Sequence, residues 1–444
     1  MLTSTRRQIA VLILSLLGLL EILSGLFVNP WSAQIWDRSA HAWQNDFHQV
    51  AMHYFIASIL IGGVTLGLAL YLRRKRAPMF GNLILTFLVI SWVVLIDRYL
   101  LVCFGLPIWI ADPVVHFRHR PNAVRTWPPE YTRGYAKPVR INAYGHHDDP
   151  FPVKKPAGEF RAVVLGDSVT MGHGVTREET YSNQLEDLLN KHDQNYATHQ
   201  IINTGVSGYA PRQEYYILKE SMIFQPDLVL VGFCMNDVTE PFTADRNLGG
   251  TGFGNQGISQ LPNIFWATLY HETGWGRLIN YLNWNLKVRQ NDKLREIYNV
   301  QYMSKHFQDD VRIQKAWDVT LADLEKIYQL CHANDLPVIL LIFPHTFQLS
   351  RNPLKISPQK ILTDHARRFH VPVIDLTFFF QQRVAEKIML MREQDCPPAM
   401  IQTLINKYLL TYFLDWDHLT VEGHQVVARA IFDFLVKKKI IAIR

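Results

Sequence analysis

Cysteine is scarce in this chain, with four among 444 residues. Cys103 lies in an apolar stretch, and Cys234, Cys331 and Cys396 are scattered without the short spacings of a zinc site. A disulfide framework and a thiolate metal centre are therefore excluded as organising principles, although a single Cys331 to Cys396 bridge stays open for a domain outside the cytoplasm. Internal repeats and low-complexity tracts are absent as well. Net charge is only +6, and much of it belongs to residues that flank apolar segments, so charge does not point to a nucleic-acid partner. The Lys437 to Lys439 run reads as a solvated helix end.

What the chain does have is three long apolar stretches in its first quarter, Ile9 to Val28, Tyr54 to Leu72 and Phe80 to about Phe104. Each is near the ~20 residues that cross a bilayer. The first follows Arg6 and Arg7 but has no clean small-residue cleavage site and precedes two further spans, so it reads as a retained anchor. The basic loop Arg73, Arg74, Lys75 and Arg76 places itself and the N-terminus in the cytoplasm by the positive-inside rule, and three crossings put everything after about Leu106 outside. Residues 1–110 thus form a three-span membrane region whose partner is the lipid bilayer. Among the charges of the spans, Glu21 and Arg98 both fall toward the outer half, and an ion pair between them is one reading; the other is that Asp97 and Arg98 mark the outer interface. Gly63 and Gly67 make a GxxxG pair, a weak packing signal.

From Ala111 to Glu159 the composition turns to Pro, His, Arg and Asp, as in an extended connection. The cluster His146, His147, Asp148 and Asp149 reads as a polar turn before Pro150 rather than a metal site, because adjacent loop residues rarely converge on one ion. After Phe160 strands and helices alternate. Strands are expected at Arg161–Leu165, Gln200–Asn203, Asp227–Gly232, Pro337–Phe343 and Val371–Leu376. Helices are expected at Glu178–His192, Arg212–Phe224, Arg312–Ala333, Ser357–Phe369 and Val421–Val436. This alternation predicts an α/β domain over residues 160–444, with a parallel sheet of about five strands, helices on both faces and functional groups at the strands' carboxyl ends. Two insertions interrupt it, at about 239–310 and 381–410, the second helical. The aromatics Trp266, Tyr270, Trp275, Tyr281 and Trp284 of the first suit either sugar stacking or a small core of their own.

The first strand ends in Gly166-Asp167-Ser168, and a serine after a strand is ordinarily a helix cap. Three other strand ends change its standing. The second strand runs into Asn203-Thr204-Gly205-Val206-Ser207-Gly208-Tyr209, whose glycines let backbone N–H groups approach a ligand. The third runs into Gly232-Phe233-Cys234-Met235-Asn236-Asp237, which offers a side-chain amide. Near the C-terminus, Asp415-Trp416-Asp417-His418 puts a carboxylate three residues before a histidine. Asp417 is a rival to Asp415, but a residue adjacent to the histidine needs an awkward turn to reach the ring, which favours Asp415. Asp167 and Asp237 read as local caps, and His173 and His345 as loop histidines on the functional edge.

These four blocks, GDS, NTGVSGY, GFCMND and DWDH, resemble in order and spacing those of the SGNH (GDSL-like) serine hydrolase superfamily over roughly Arg161 to Leu435. The upstream Ile141-Asn142-Ala143-Tyr144-Gly145 resembles the lead-in of bacterial membrane-linked members, with His146-His147 where these often have Phe-Arg. The resemblance implies a flavodoxin-like fold, Ser168 as nucleophile, His418 as base, Asp415 as its orienting partner, and an oxyanion hole from the N–H groups of Ser168 and Gly208 with the amide of Asn236. It calls for neither cofactor nor metal.

Together these readings point to a multi-pass protein of the bacterial cytoplasmic membrane whose periplasmic domain removes a short acyl group, such as O-acetyl, from an envelope glycan or related saccharide. Transfer of the acyl group to a polysaccharide is a second reading, and would need a membrane acyl-donor partner. A non-catalytic, glycan-binding assembly protein is a third, against which stand the five intact positions Ser168, Gly208, Asn236, Asp415 and His418.

Overall fold

The computed structural model describes residues 4–29, 44–74, 81–104, 108–127, 137–193, 195–238, 273–276, 278–279, 300–302, 310–349, 358–392 and 401–441. The chain divides into two compact units. One comprises Met1–Ala111 with Val124–Thr126 and Asn263–Arg289, the other Asp112–Ala123, Trp127–Pro262 and Gln290–Arg444. Most of the first insertion, including Trp266, Tyr270, Tyr281 and Trp284, lies outside the described residues.

In the first unit, helices α1 (Ser4–Phe27), α2 (Gln44–Arg74) and α3 (Gly81–Phe104) take up the three apolar stretches. Among the described residues two segments are long and apolar enough to cross a membrane, Gln8–Phe27 and Ala51–Tyr71. Buried positions recur along α1 at Leu14, Gly18, Glu21, Gly25 and Val28, and along α2 at Ala51, Tyr54, Ser58, Gly62, Thr65 and Ala69. Steps of three and four residues on both helices make a coiled-coil-like seam. Small residues let the backbones close in: a Cβ on Gly62 would lie 2.8 Å from the Gly18 carbonyl and 2.6 Å from Ile22 Cγ1. Polar groups of the seam bond to their own helices or across it, Ser58 Oγ to the Tyr54 carbonyl at 2.7 Å and Tyr54 Oη to Ser24 Oγ at 3.1 Å.

Two readings left open by the sequence are decided here. No ion pair among the described residues joins Glu21 to Arg98: Glu21 is buried in the seam at 1% exposure, and Arg98 Nε lies 4.0 Å from Asp97, whose Oδ1 accepts from Trp275 N at 3.2 Å. The close-packing glycine of α2 is Gly62, while Gly63 and Gly67 face open space. A shift of one residue turns a helix by about 100°, which is enough to move a glycine off the seam.

The second unit holds a five-stranded parallel sheet: β1 (Glu159–Leu165), β2 (Thr198–Asn203), β3 (Leu228–Phe233), β4 (Val338–Ile342) and β5 (Val373–Asp375), in the order β2-β1-β3-β4-β5. Its helices are α4 (Ser168–Met171), α5 (Tyr181–His192), α6 (Pro211–Ser221), α7 (Val311–Ala333), α8 (Pro358–Arg368), α9 (Leu376–Arg392), α10 (Ile401–Tyr412) and α11 (Val421–Lys437). The expected strands and helices are all present, shifted by at most a few residues. The second insertion is helical, formed by α10 and by α9, which starts directly after β5. Every residue of β3 and of β4 is buried, as a sheet covered on both faces requires. Ala162, Val164, Leu230 and Leu341 pack in one core with residues of α5, α9, α10 and α11. Their neighbours Val163, Val229, Val231 and Leu340 point to the opposite face by strand alternation. Helices start where the sequence supplies caps: Thr180 Oγ1 accepts from Asn183 N ahead of α5, and Thr420 Oγ1 from Gly423 N ahead of α11.

The strand register brings Leu165, Asn203, Phe233 and Ile342 to one edge of the sheet. In this strand order β1 and β3 leave toward opposite sides, and their carboxyl ends flank the crevice where α/β sheets place ligands.

The seam gives the first prediction. Gly62→Val should lower the thermal stability of the full chain in detergent, while Gly63→Val and Gly67→Val should leave it within about 1 °C. Equal losses in all three, followed by intrinsic fluorescence on heating, would contradict the assigned packing face.

Candidate active site

Ser168 opens the single turn of α4 directly after β1. Asp167 caps that turn, its Oδ1 accepting from Val169 N at 2.8 Å. The turn is tight enough to exclude a side chain at Gly166, where a Cβ would lie 2.1 Å from Thr170 Oγ1. The other Asp167 oxygen accepts from Asn236 Nδ2 at 2.9 Å, so one buried carboxylate shapes the serine turn and orients the amide from the end of β3. The β2 loop is tied to the same turn, Val206 N donating to the Gly166 carbonyl at 3.1 Å. Within that loop Gly208 has φ +82°, in the left-handed region glycine favours.

His418 comes from the loop ahead of α11. Its Nδ1–H donates to Asp415 Oδ2 at 2.9 Å, and its Nε2 lies 2.9 Å from Ser168 Oγ, poised in the neutral tautomer to accept the serine proton. Asp415 Oδ1 also accepts from the backbone N–H groups of Asp417 and His418, at 3.2 and 3.0 Å. That local turn brings Asp417 Oδ1 within 3.2 Å of the same Nδ1. The hydrogen bond to Nδ1 goes to Asp415, as the sequence favoured, and the Asp415 bonds to the loop backbone fold that loop so that the Asp417 carboxylate lies beside it at ion-pair distance.

The charges here are strongly coupled. Burial disfavours a charged His418, but the Asp417 and Asp415 carboxylates outweigh it and raise the imidazole to about 10. Burial likewise opposes ionisation of Asp415, and the His418 charge and hydrogen bonds overcome it, holding that carboxyl well below its usual range. Asp167 is raised, mainly by burial, with the Asn236 hydrogen bond acting against the rise. His173 stacks on His418 with ring centroids 4.3 Å apart. His345 is fully buried, its Nδ1 3.9 Å from Cys234 Sγ.

The structure thus brings Ser168, His418, Asp415 and Asn236 together, with the Gly208 loop bonded to the serine turn. Three contributions escaped sequence reasoning. Asp167 orients Asn236 besides capping its own turn. Asp417 joins Asp415 at the ring. The segment read as a polar turn, His146 to Asp149, is buried at His146, His147 and Asp148: His147 Nδ1–H donates to the Met171 carbonyl at 2.7 Å and supports α4 from behind, and Asp148 Oδ2 accepts from Asn203 N at 3.1 Å. Asn142 organises the segment, its Oδ1 accepting from the N–H groups of Tyr144 and His146. An asparagine two and four residues ahead of these donors was a readable turn signal; the burial was not. Cys331 is a buried free thiol, and Cys396 lies outside the described residues. A cavity of about 170 Å³ lined by Arg118, Tyr144, His146, Tyr209 and Phe224 includes none of Ser168, His418 and Asp415.

A model of the GDSL-like lipase/acylhydrolase family matches residues 164–426, more than half of the chain. No curated protein matches it. Similar solved structures include a catalytic mutant of an acetylxylan esterase from Geobacillus stearothermophilus, 15% identical with a TM-score of 0.34 over 62% of this chain and 93% of that one. A GDSL-like lipase from Bacteroides thetaiotaomicron is 17% identical with a TM-score of 0.31, covering 63% and 88%. Similarities of this level bear on neither substrate nor mechanism.

Buried carboxyls around the site give a pH prediction. Asp148 is pushed up to about 7, chiefly by burial, and Glu186 to about 8, again chiefly by burial and also by Asp148. Well below pH 4 both are protonated in folded and unfolded chains and favour neither. As pH rises from about 4 the unfolded chain ionises first, so stability falls until the folded groups ionise, near 7 and 8. Asp148→Asn should flatten the fall in melting temperature between pH 5 and pH 7.5 relative to wild type; an unchanged slope would contradict the assignment.

Proposed function

The chain belongs to the GDSL-like lipase/acylhydrolase family and is a serine hydrolase acting on ester bonds, and from that premise we propose that Ser168, His418 and Asp415 are its catalytic triad. The observation that carries the reading is the unbroken Ser168–His418–Asp415 chain, with contacts of 2.9 Å on both sides of the imidazole. In this mechanism Ser168 Oγ attacks the ester carbonyl carbon while His418 Nε2 takes its proton. The carbonyl oxygen becomes an oxyanion, received by the N–H groups of Ser168 and Gly208 and by Asn236 Nδ2, whose plane Asp167 sets. Collapse breaks the bond to the alcohol, which leaves with the proton held on Nε2. Water then gives a proton to Nε2 as it attacks the acyl-serine carbonyl; the acyl–Oγ bond breaks, the carboxylic acid leaves, and Nε2 returns the proton to Ser168 Oγ. Asp415 holds the ring in the tautomer that keeps Nε2 facing the serine and stabilises the imidazolium formed at each step.

The proposal extends to location and substrate class. Large apolar side chains such as Leu12, Leu20, Ile56, Leu60, Ile90 and Val93 on α1, α2 and α3 are exposed, as lipid-facing residues are and core residues are not. We take α3 as a third span, with the basic loop before it in the cytoplasm and the hydrolase unit in the periplasm. An enzyme held there meets envelope polymers, which makes a short ester such as O-acetyl on a glycan or lipid-linked saccharide the substrate class.

Ser168→Ala should lower hydrolysis of a short-chain aryl acetate by at least about 10⁴-fold, and Asn236→Ala should lower kcat by about 10² to 10³-fold. A fluorophosphonate probe should label Ser168 in the folded wild type. Absence of labelling would overturn the nucleophile assignment.

A further inference from the structure

We propose that Asp417 is a second carboxylate partner of His418, sharing the Nδ1 side of the ring with Asp415 and setting the pH range in which the imidazole acts as a base. The inference rests on the reading of His418 as the base for Ser168. Its geometric ground is the pair of contacts on one ring nitrogen, Asp415 Oδ2 at 2.9 Å and Asp417 Oδ1 at 3.2 Å.

The two carboxylates differ in setting. The Asp415 side chain is 24% exposed and makes the in-line hydrogen bond together with two bonds to its own loop backbone. It fixes where the ring points. The Asp417 side chain is 2% exposed, so little water screens its charge and the charge acts on the imidazole at nearly contact distance. Its position is held from the far side, where Thr346 N donates to the Trp416 carbonyl at 2.8 Å and joins the loop after β4 to the loop before α11.

The groups around this pair leave Asp417 and Asp415 as its main electrostatic influences. From the end of β4, His345 Nε2 lies 3.9 Å from Asp417 Oδ2, beyond hydrogen-bond reach. Burial, opposed by Asp415 and reinforced by His418, pushes His345 down to about 3; it is neutral and does not cancel the Asp417 charge. From the end of β3, the Cys234 thiol is pushed up by burial and by the carboxylates of Asp167, Asp417 and Asp237, and stays protonated. Asp167 adds a smaller favourable charge toward His418 from the serine turn. His173 stacks on the open face of the ring. Two carboxylates beside one nitrogen favour the imidazolium, so the unprotonated base that Ser168 needs gains population as pH rises.

The consequence separates the two residues experimentally. With the full chain in detergent, the rate of fluorophosphonate labelling at Ser168 is measured against pH, and His418 is titrated by NMR with histidine-selective nitrogen-15 labelling. Asp417→Asn should move the ascending midpoint of the labelling profile, and the His418 titration, down by about one unit or more, the size expected for losing an adjacent opposite charge. Asp415→Asn should lower the labelling rate at every pH, while the His418 midpoint stays above the ordinary histidine value of about 6.5 because Asp417 remains. A merely structural Asp417 would lower the rate without moving the midpoint, and an unmoved midpoint in Asp417→Asn overturns the proposal. Should that variant not fold, the His418 titration in Asp415→Asn decides alone: a midpoint at or below about 6.5 overturns it, and one above supports it. The NMR titration reads His418 whether or not Ser168 reacts, so failure of the nucleophile assignment is seen separately as unlabelled wild type.

Discussion

The Asp167 carboxylate is the interaction on which the rest of the site depends. One oxygen accepts from Val169 N and closes the turn that exposes Ser168; the other accepts from Asn236 Nδ2 and joins the end of β3 to the end of β1. Without that link the serine turn and the amide would be two loop features with independent positions. With it, the Asn236 amide is held in a fixed orientation beside the serine turn. Burial raises Asp167, so the arrangement holds a carboxylate in a place that disfavours it. Hydrogen bonds from both sides offset that cost.

The same balance recurs through the unit. Asp148, Asp167 and Asp417 are all buried, and His418 is raised despite its burial. Removing one partner from such a set leaves a charge or an unmet hydrogen-bonding group in a low-dielectric interior, which costs more than the net gain of the original contact. The buried residues His147 and Asp148 show how far this network extends: well upstream of β1, they bond to the carbonyl at the end of α4 and to the N–H of Asn203. The hydrolase unit accordingly includes chain that its composition would assign to a connection.

The helical unit follows a different logic. Close approach of backbones and a few polar contacts hold α1 to α2. Gly18 against Gly62 provides the approach, and Tyr54, Ser24 and Ser58 provide the polar contacts.

The amino-acid sequence by itself determined the five strands, the helices between them and the apolar helices at the start, because each depends on a local period or on composition. It also picked out the residues that the fold brings together, since GDS, the Gly208 loop, Asn236 and the Asp415–His418 pair all follow strand ends or precede a helix in readable order. Tertiary structure alone decided the strand order β2-β1-β3-β4-β5, the choice of Gly62 over Gly63 as the seam glycine, and the burial of His147 and Asp148. It also decided that Asp417 reaches the ring beside Asp415. The first three turn on a rotation of one residue or on a partner tens of residues away, which no local pattern registers before the chain has folded, and the last turns on the hydrogen bonds by which Asp415 folds its own loop.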